Sequence, residues 1–372
     1  MREDQQPAQD GQQLAPYDDS RAIGSYLTEA KPRYDDSLEI AGLIADHLSR
    51  GQKFAAYHQT KAYNTLQRQQ YDLQVFSTYL AQAGITRDPE SLYLDAEAWR
   101  GITSGLLEGF KTWMLNQGYA IGSVNLRLST IRKYCELAYV AGTLSDQDIA
   151  LIKLVKGFRF SEGHNIDRNR AEQGHPTRMG AKKAAPTPVL KRQALQLKQA
   201  TTHTAQPRTR EHDRLLEERD ALLMCLLIEH ALRVSEIVAL NAESIDLDTD
   251  TITVYRAKTY SRDTYELMPR TREAAHTYLP LIDPHGPLFT GYEGKRITRY
   301  GIFDRVRLLG HQVGLDNLSP HDLRHFWTID AFRNGNGIDI IQRYGGWNSP
   351  AMPLHYAKII GIANKGLKLS QE

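Results

Sequence analysis

Residues 319–328 read SPHDLRHFWT, and the way this stretch is taken decides the fold. Ser319-Pro320 is a helix opening, a capping hydroxyl followed by proline at the first helical position, where its missing N–H is no loss. The first turns then carry His321, Asp322, Arg324 and His325 among Leu323, Phe326, Trp327 and Ile329, which read as buried. His321 and Arg324 are three apart and share one helical face. A helix that gives an inner face to ionisable groups needs an anion or a reaction there, while Asp322 and His325 are expected to brace it from the sides.

Outward from this helix, the second half of the chain alternates helical periods with one exception. Helices are predicted over 190–200 and 214–232, and again after residue 269 to the end. Between them, DTDTITVYRAKTYSRDTYELMP places Ile252 and Val254, then Tyr265 and Leu267, around a polar centre, the pattern of a β-hairpin. Residues 53–157 are helical throughout, over 60–83, 104–116, 123–140 and 146–155, with Gly84, Gly118 and Gly142 between. The third of these helices is expected to start at a capping Ser123 and to turn Arg127, Arg132 and Lys133 away from its apolar face. Residues 158–186 have the Gly, Pro and charge content of a linker, and residues 1–52 read as an extension with one short helix near 38–48. The expected organisation is therefore an extension over 1–52, a small domain of four or five helices over 53–157, a basic linker over 158–186, and a mixed domain over 187–372.

At 372 residues, with 41% apolar and 24% charged, the chain has material for two cored domains. No run reaches the roughly 18 apolar residues of a membrane span, and MREDQQPAQD has no apolar stretch of the secretory kind. These features predict a cytoplasmic protein. Cys135 and Cys225 are too few for a disulfide framework or a cysteine-rich zinc site. The net charge of +2 conceals a division, since residues 1–50 hold five Lys or Arg against ten Asp or Glu. Nine basic residues fall between Arg159 and Lys198, including Lys182 and Lys183, against three acidic ones. Such a segment either neutralises phosphates or is a solvated connection. With the basic helix face before it, it makes Arg127, Arg132, Lys133, Arg159, Lys182 and Lys183 candidate DNA contacts.

Four islands set cationic or proton-carrying residues beside apolar runs: Arg233 and Glu236 in ALRVSEIVAL, Lys258 in the hairpin, His321 and Arg324 in the opening stretch, and Trp347 and Tyr356 in GGWNSPAMPLHYAK. Singly, each is weak. In order and spacing the set resembles the tyrosine recombinase (phage integrase) family over about residues 53–356, with Arg233, Lys258 25 residues later, His321 and Arg324, Trp347, and Tyr356 nine residues after the tryptophan. Tryptophan stands where the family more often has histidine. The hairpin reads RAKTYSR in place of the usual Gly-Lys-Gly, so Lys258 is assigned as its only lysine.

The resemblance implies a mainly α fold with a small hairpin or sheet: a helical, SAM-like core-binding domain and a mixed α+β catalytic domain. It also implies a site-specific recombinase working through a 3′-phosphotyrosyl intermediate without metal, ATP or other cofactor. Arg233 and Arg324 would neutralise the phosphorane, and Tyr356 would attack with His321 assisting. Lys258 would protonate the leaving 5′ oxygen, Trp347 would offer its ring N–H to a phosphate oxygen, and Glu236 and His325 would support the set. Its partners would be double-stranded DNA with an inverted-repeat site and three further protomers, a homotetramer on two sites, with or without a directionality factor. The protein would be nucleoid-associated, without a membrane. The tail from residue 357 would either dock on a neighbouring catalytic domain or fold back on its own. Three other readings share some of these features. His321 and His325 have the i, i+4 spacing of a zinc-binding helix, but Asp322 replaces the general-base glutamate and no third ligand cluster is evident. An inactive DNA-binding protein of the same fold would keep the layout, and a type IB topoisomerase would share the chemistry.

Overall fold

The computed structural model describes residues 34–179, 183, 185–199, 210–256 and 260–359. Lys182, Lys258, residues 1–33 and the tail from residue 360 lie outside them. The chain divides into two units, residues 1–182 and 183–372, and each has its own core.

The first unit is helical: α1 (Tyr34–Gly51), α2 (Lys53–Gln59), α3 (Tyr63–Gln82), α4 (Pro89–Leu94), α5 (Ser104–Asn116), α6 (Ile121–Val140), α7 (Asp146–Leu154) and α8 (Phe160–Glu172). Its core follows the sequence period. Leu73, Phe76 and Leu80 on α3, Leu107, Phe110 and Met114 on α5, and Val124, Leu128, Ile131 and Cys135 on α6 are buried at spacings of three and four. Phe76, Trp99, Phe110 and Tyr134 join them as one aromatic cluster. Each such side chain contributes about 1.5–3 kcal/mol by leaving water.

Two boundaries differ from expectation. Gly118 turns the chain at φ 85° and Ala120 is the extended N-cap of α6, so the helix starts two residues before Ser123. The segment read as a linker contains α8, which belongs to the first unit. The Glu162 carboxylate accepts the Arg159 N–H at 2.8 Å, and Gly163 lies so close to Ile121 that a Cβ would stand 2.9 Å from its Cγ2. The buried Arg170 donates to the carbonyls of Tyr119 and Pro176. Charge and glycine thus pin this segment to its unit.

The second unit contains α9 (Lys191–Lys198), α10 (Arg210–Glu229), α11 (Val234–Ala239), β1 (Ile245–Asp246), β2 (Thr251–Arg256), β3 (Ser261–Glu266), α12 (Pro269–Tyr278), α13 (Arg299–Gln312), α14 (Pro320–Arg333), α15 (Ile338–Tyr344) and α16 (Ala351–Ile359). The strands form an antiparallel sheet in the order β1-β2-β3, in which Ile252 faces Tyr265 and Val254 faces Asp263. Ile252 and Val254 are buried in the core with Leu222, Leu223, Leu226 and Leu227 of α10. The hairpin is as expected, and the two-residue β1 is an addition that periodicity cannot register. The opening stretch forms α14, whose first turn is closed by the Asp322 carboxylate accepting the Ser319 N–H at 2.7 Å. No helix among the described residues is long and apolar enough to cross a membrane.

Candidate active site

Arg233 occupies the extended N-cap position of α11, just after Ala231, whose φ is 51°. One carboxylate fixes it twice. Glu236 Oε2 accepts the Arg233 backbone N–H at 2.8 Å and Oε1 accepts Nη1–H at 2.7 Å. The other arm of the guanidinium, Nη2, donates to the Gly346 carbonyl at 2.8 Å, and the side chain keeps 25% of its exposure.

Arg324 comes from α14 and is 4% exposed. It donates to the carbonyls of Ala231 and Gly345, and its guanidinium lies 4.1 Å from the centre of the Trp347 ring. The two guanidiniums are therefore fastened to consecutive carbonyls of one turn. Burial, and then the Arg233 charge, push the Arg324 pKa down to about 9, so the group is still a cation at neutral pH. The turn that receives them has room only for glycine. A Cβ on Gly345 would stand 1.9 Å from the Trp347 ring, and one on Gly346, at φ 61°, would stand 2.0 Å from Arg256 Nη1.

Tyr356, on α16, is 1% exposed. The His325 ring meets it edge to face at 4.4 Å, His321 meets His325 in the same way at 4.6 Å, and Trp347 lies 5.9 Å from the phenol. Burial raises the phenol above its ordinary pKa, and Arg324 and Arg233 pull it back part of the way. The cluster thus joins two fixed guanidiniums, two imidazoles and a phenol, groups that together can hold an oxyanion and move a proton beside it.

Several expectations need adjustment. Arg233, Arg324, Trp347, Tyr356, Glu236 and His325 come together, with His321 exposed at the amino-terminal end of α14. His325, expected at the helix side, supplies the ring against Tyr356. Trp347 stacks on Arg324 as a π face, an arrangement that its expected N–H role leaves out. Asp322 braces the start of α14 as expected, accepting the Thr187 N–H at 3.1 Å together with the Lys183 ammonium.

Among the basic residues offered as DNA contacts, Lys183 is held inside its unit by Asp322, Thr187 and the Asn317 carbonyl. Arg127 pairs with Asp72 at 3.7 Å with its side chain 11% exposed, and its guanidinium lies 4.5 Å from the Tyr119 ring. Both are internal ties. Arg132 is half-buried and Arg159 exposed, and Lys133 pairs with Glu136 at 3.1 Å.

One member escaped the sequence reading. Arg256, 4% exposed, donates to the same Glu236 oxygen that holds Arg233, at 3.0 Å. The available signal was period two, which puts residue 256 on the inward face with Ile252 and Val254. Tyr344, the other tyrosine near the cluster, has its hydroxyl 3.0 Å from His230 Nδ1 and its ring stacked on Trp327 at 5.3 Å. Burial pushes this phenol strongly up.

Residues 193–360 match the model of the phage integrase family. A tyrosine recombinase XerC from Roseiflexus sp. (strain RS-1) is 29% identical over 153 residues, 38% of this chain and 48% of the relative. A probable integrase/recombinase of Methanocaldococcus jannaschii is 28% identical over 149 residues, 37% of this chain and 45% of that one. The chain spans about half the length of the curated relatives it matches. Among solved structures, a lambda integrase dimer bound to a COC′ core site has a TM-score of 0.55 at 14% identity, covering 88% of this chain and 97% of that one. The Tn1549 transposon integrase in complex with transposon right end DNA has a TM-score of 0.55 at 13% identity, with 82% and 94% covered. At these identities the likeness is one of fold. Residues 193–360 thus form a phage integrase family domain, and the fold of the chain is that of the integrase structures.

Proposed function

We propose that this protein is a site-specific DNA recombinase that breaks and rejoins strands through a 3′-phosphotyrosyl bond on Tyr356. The observation that supports this best is the convergence of Arg233 and Arg324 on consecutive carbonyls of the turn that leads into Trp347 and Tyr356. Guanidiniums held there offer forked donors to the non-bridging oxygens of a phosphodiester and stabilise the charge that grows in the phosphorane. The Tyr356 oxygen forms a bond to phosphorus as the bond to the 5′ oxygen breaks. His321 takes the phenol proton and Lys258 gives one to the leaving oxygen. The bond energy stays in the phosphotyrosyl link, so a free 5′ hydroxyl can reverse the step on another strand with no ATP, and the two arginines take the part a metal would play. Because Tyr356 is 1% exposed, attack requires DNA binding to move α16. Its partners on this reading are duplex DNA with an inverted repeat and three further copies of the chain on two such sites, with or without a directionality factor. It works where DNA is, on the nucleoid.

The test works without a defined target sequence. A pool of nicked duplexes with randomised arms is incubated with the full chain, denatured and resolved by electrophoresis. A protein–DNA adduct that forms equally well in excess chelator is expected. Absence of any adduct, or its loss with chelator, would sink the proposal.

A further inference from the structure

We propose that Arg256 is a positioning residue of this site, holding the Glu236 carboxylate on Arg233 and tying the base of the hairpin to the glycine turn. This rests on the recombinase reading above. The Arg256 guanidinium bonds to three elements, α11, β3 and α15. Its Nη1 donates to Glu236 Oε1 at 3.0 Å, on α11. Its Nε donates to Asp263 and its Nη2 to the Tyr265 hydroxyl, both on β3. Nη2 also donates to the carbonyl of Tyr344, the last residue of α15, at 3.1 Å. Glu236 Oε1 therefore carries two guanidiniums, and the one from β2 fixes where the carboxylate can aim the one from α11.

The same group abuts Gly346, whose carbonyl receives Arg233. One planar fork thus touches both anchors of the phosphate-binding arginine, its carboxylate and its turn. Burial works against a charged guanidinium here, but Tyr265, Glu236 and Asp263 more than offset it, so the cation is held firmly. Arg256 also ends β2, two residues before Lys258 in sequence, so this end of the strand is fixed to the arginine site. A lysine at this position would keep the charge and lose the fork, and a single ammonium cannot reach acceptors on three elements at once. Arg256 does not touch the reacting atoms, so its effect is transmitted through Arg233.

Three variants of the full chain test this: Arg256→Lys, Arg256→Met and, as the mildest, Tyr265→Phe, which removes one acceptor and keeps the ring. Two readouts are taken. The first is the Arg233 side-chain Nε–Hε resonance in DNA-free protein, assigned by its disappearance in Arg233→Lys. The second is single-turnover cleavage, beside equilibrium affinity, on a duplex recovered by the wild-type capture. Expected are a displaced or broadened Arg233 resonance in Arg256→Lys and Arg256→Met, and cleavage slowed by about a hundredfold with affinity unchanged. Tyr265→Phe should move both in the same direction by less. A plain core ion pair would lower the melting temperature alone, so an unchanged resonance and unchanged cleavage would overturn the proposal. If Arg256→Met does not fold, the other two variants give the same readouts. If the wild type captures no DNA, the recombinase reading fails separately, and the Arg233 resonance alone then decides the positioning role: a shift upholds it, no shift overturns it.

Discussion

Arg324 holds its charge against two opposing influences, burial and a second guanidinium beside it. An anion between the two would relieve both. Inorganic phosphate should therefore raise the melting temperature of the wild type in a concentration-dependent way, by mass action on the folded state. In Arg233→Ala that rise should be lost, and an equal rise in that variant would place the anion elsewhere. Tyr356 carries the complementary expectation. Its phenol is raised in the folded protein, by burial first, with Arg324 and Arg233 opposing. The stability this contributes is fully present below the ordinary tyrosine pKa of about 10 and is lost as pH rises through the higher folded value. Arg324 titrates in the opposite sense, and other buried phenols titrate nearby, so the difference between proteins is the measurement. Alkaline unfolding of the wild type should set in earlier relative to neutral pH than that of Tyr356→Phe, and identical profiles would contradict the burial seen for this phenol.

At the scale of elements, the turn between α15 and Trp347 is the joint on which the site depends. Gly346→Ala adds a methyl at φ 61° directly against Arg256. It should cost about 1–3 kcal/mol of stability from backbone strain and slow cleavage as well, and a variant with wild-type stability and rate would show the turn to be slack. Much of this joint is legible in the residues themselves. The start of α14 is written in Ser319-Pro320, and the order of Arg233, His321, Arg324, Trp347 and Tyr356 marks the islands that the fold brings together. What stayed hidden shares one cause, a partner far away in sequence. Arg256 reads as a polar residue on a hairpin until Glu236 and the Tyr344 carbonyl are beside it. Arg127 and Lys183 count as free positive charge until Asp72 and Asp322 pair with them. Helix α8 has little apolar periodicity because it is held by a capping glutamate, a tight glycine and a buried arginine. Ser123 was a plausible cap, but the turn geometry at Gly118 and Ala120 set the start of α6 first.

For the molecule as a whole, the first unit is expected to supply affinity and the second chemistry, so substitutions in each should separate the two. Arg132 and Lys133 lie on α6 of the first unit, neither bound as tightly inward as Arg127. Replacing both by alanine should weaken DNA binding and flatten its salt dependence by about one unit of slope for each phosphate left unneutralised, while the cleavage rate on saturating DNA stays unchanged. An unaltered slope would return this face to ordinary solvation. The claim that the second unit breaks DNA through its own tyrosine is tested most directly by finding the bond. The captured adduct is digested and the DNA-linked peptide sequenced by mass spectrometry, for the wild type and for Tyr356→Phe. The expected result is a nucleotide remnant on Tyr356 in the wild type, and in Tyr356→Phe no adduct at all with DNA affinity intact. An adduct that persists in Tyr356→Phe, or a remnant mapped to Tyr344 or any other residue, would contradict it.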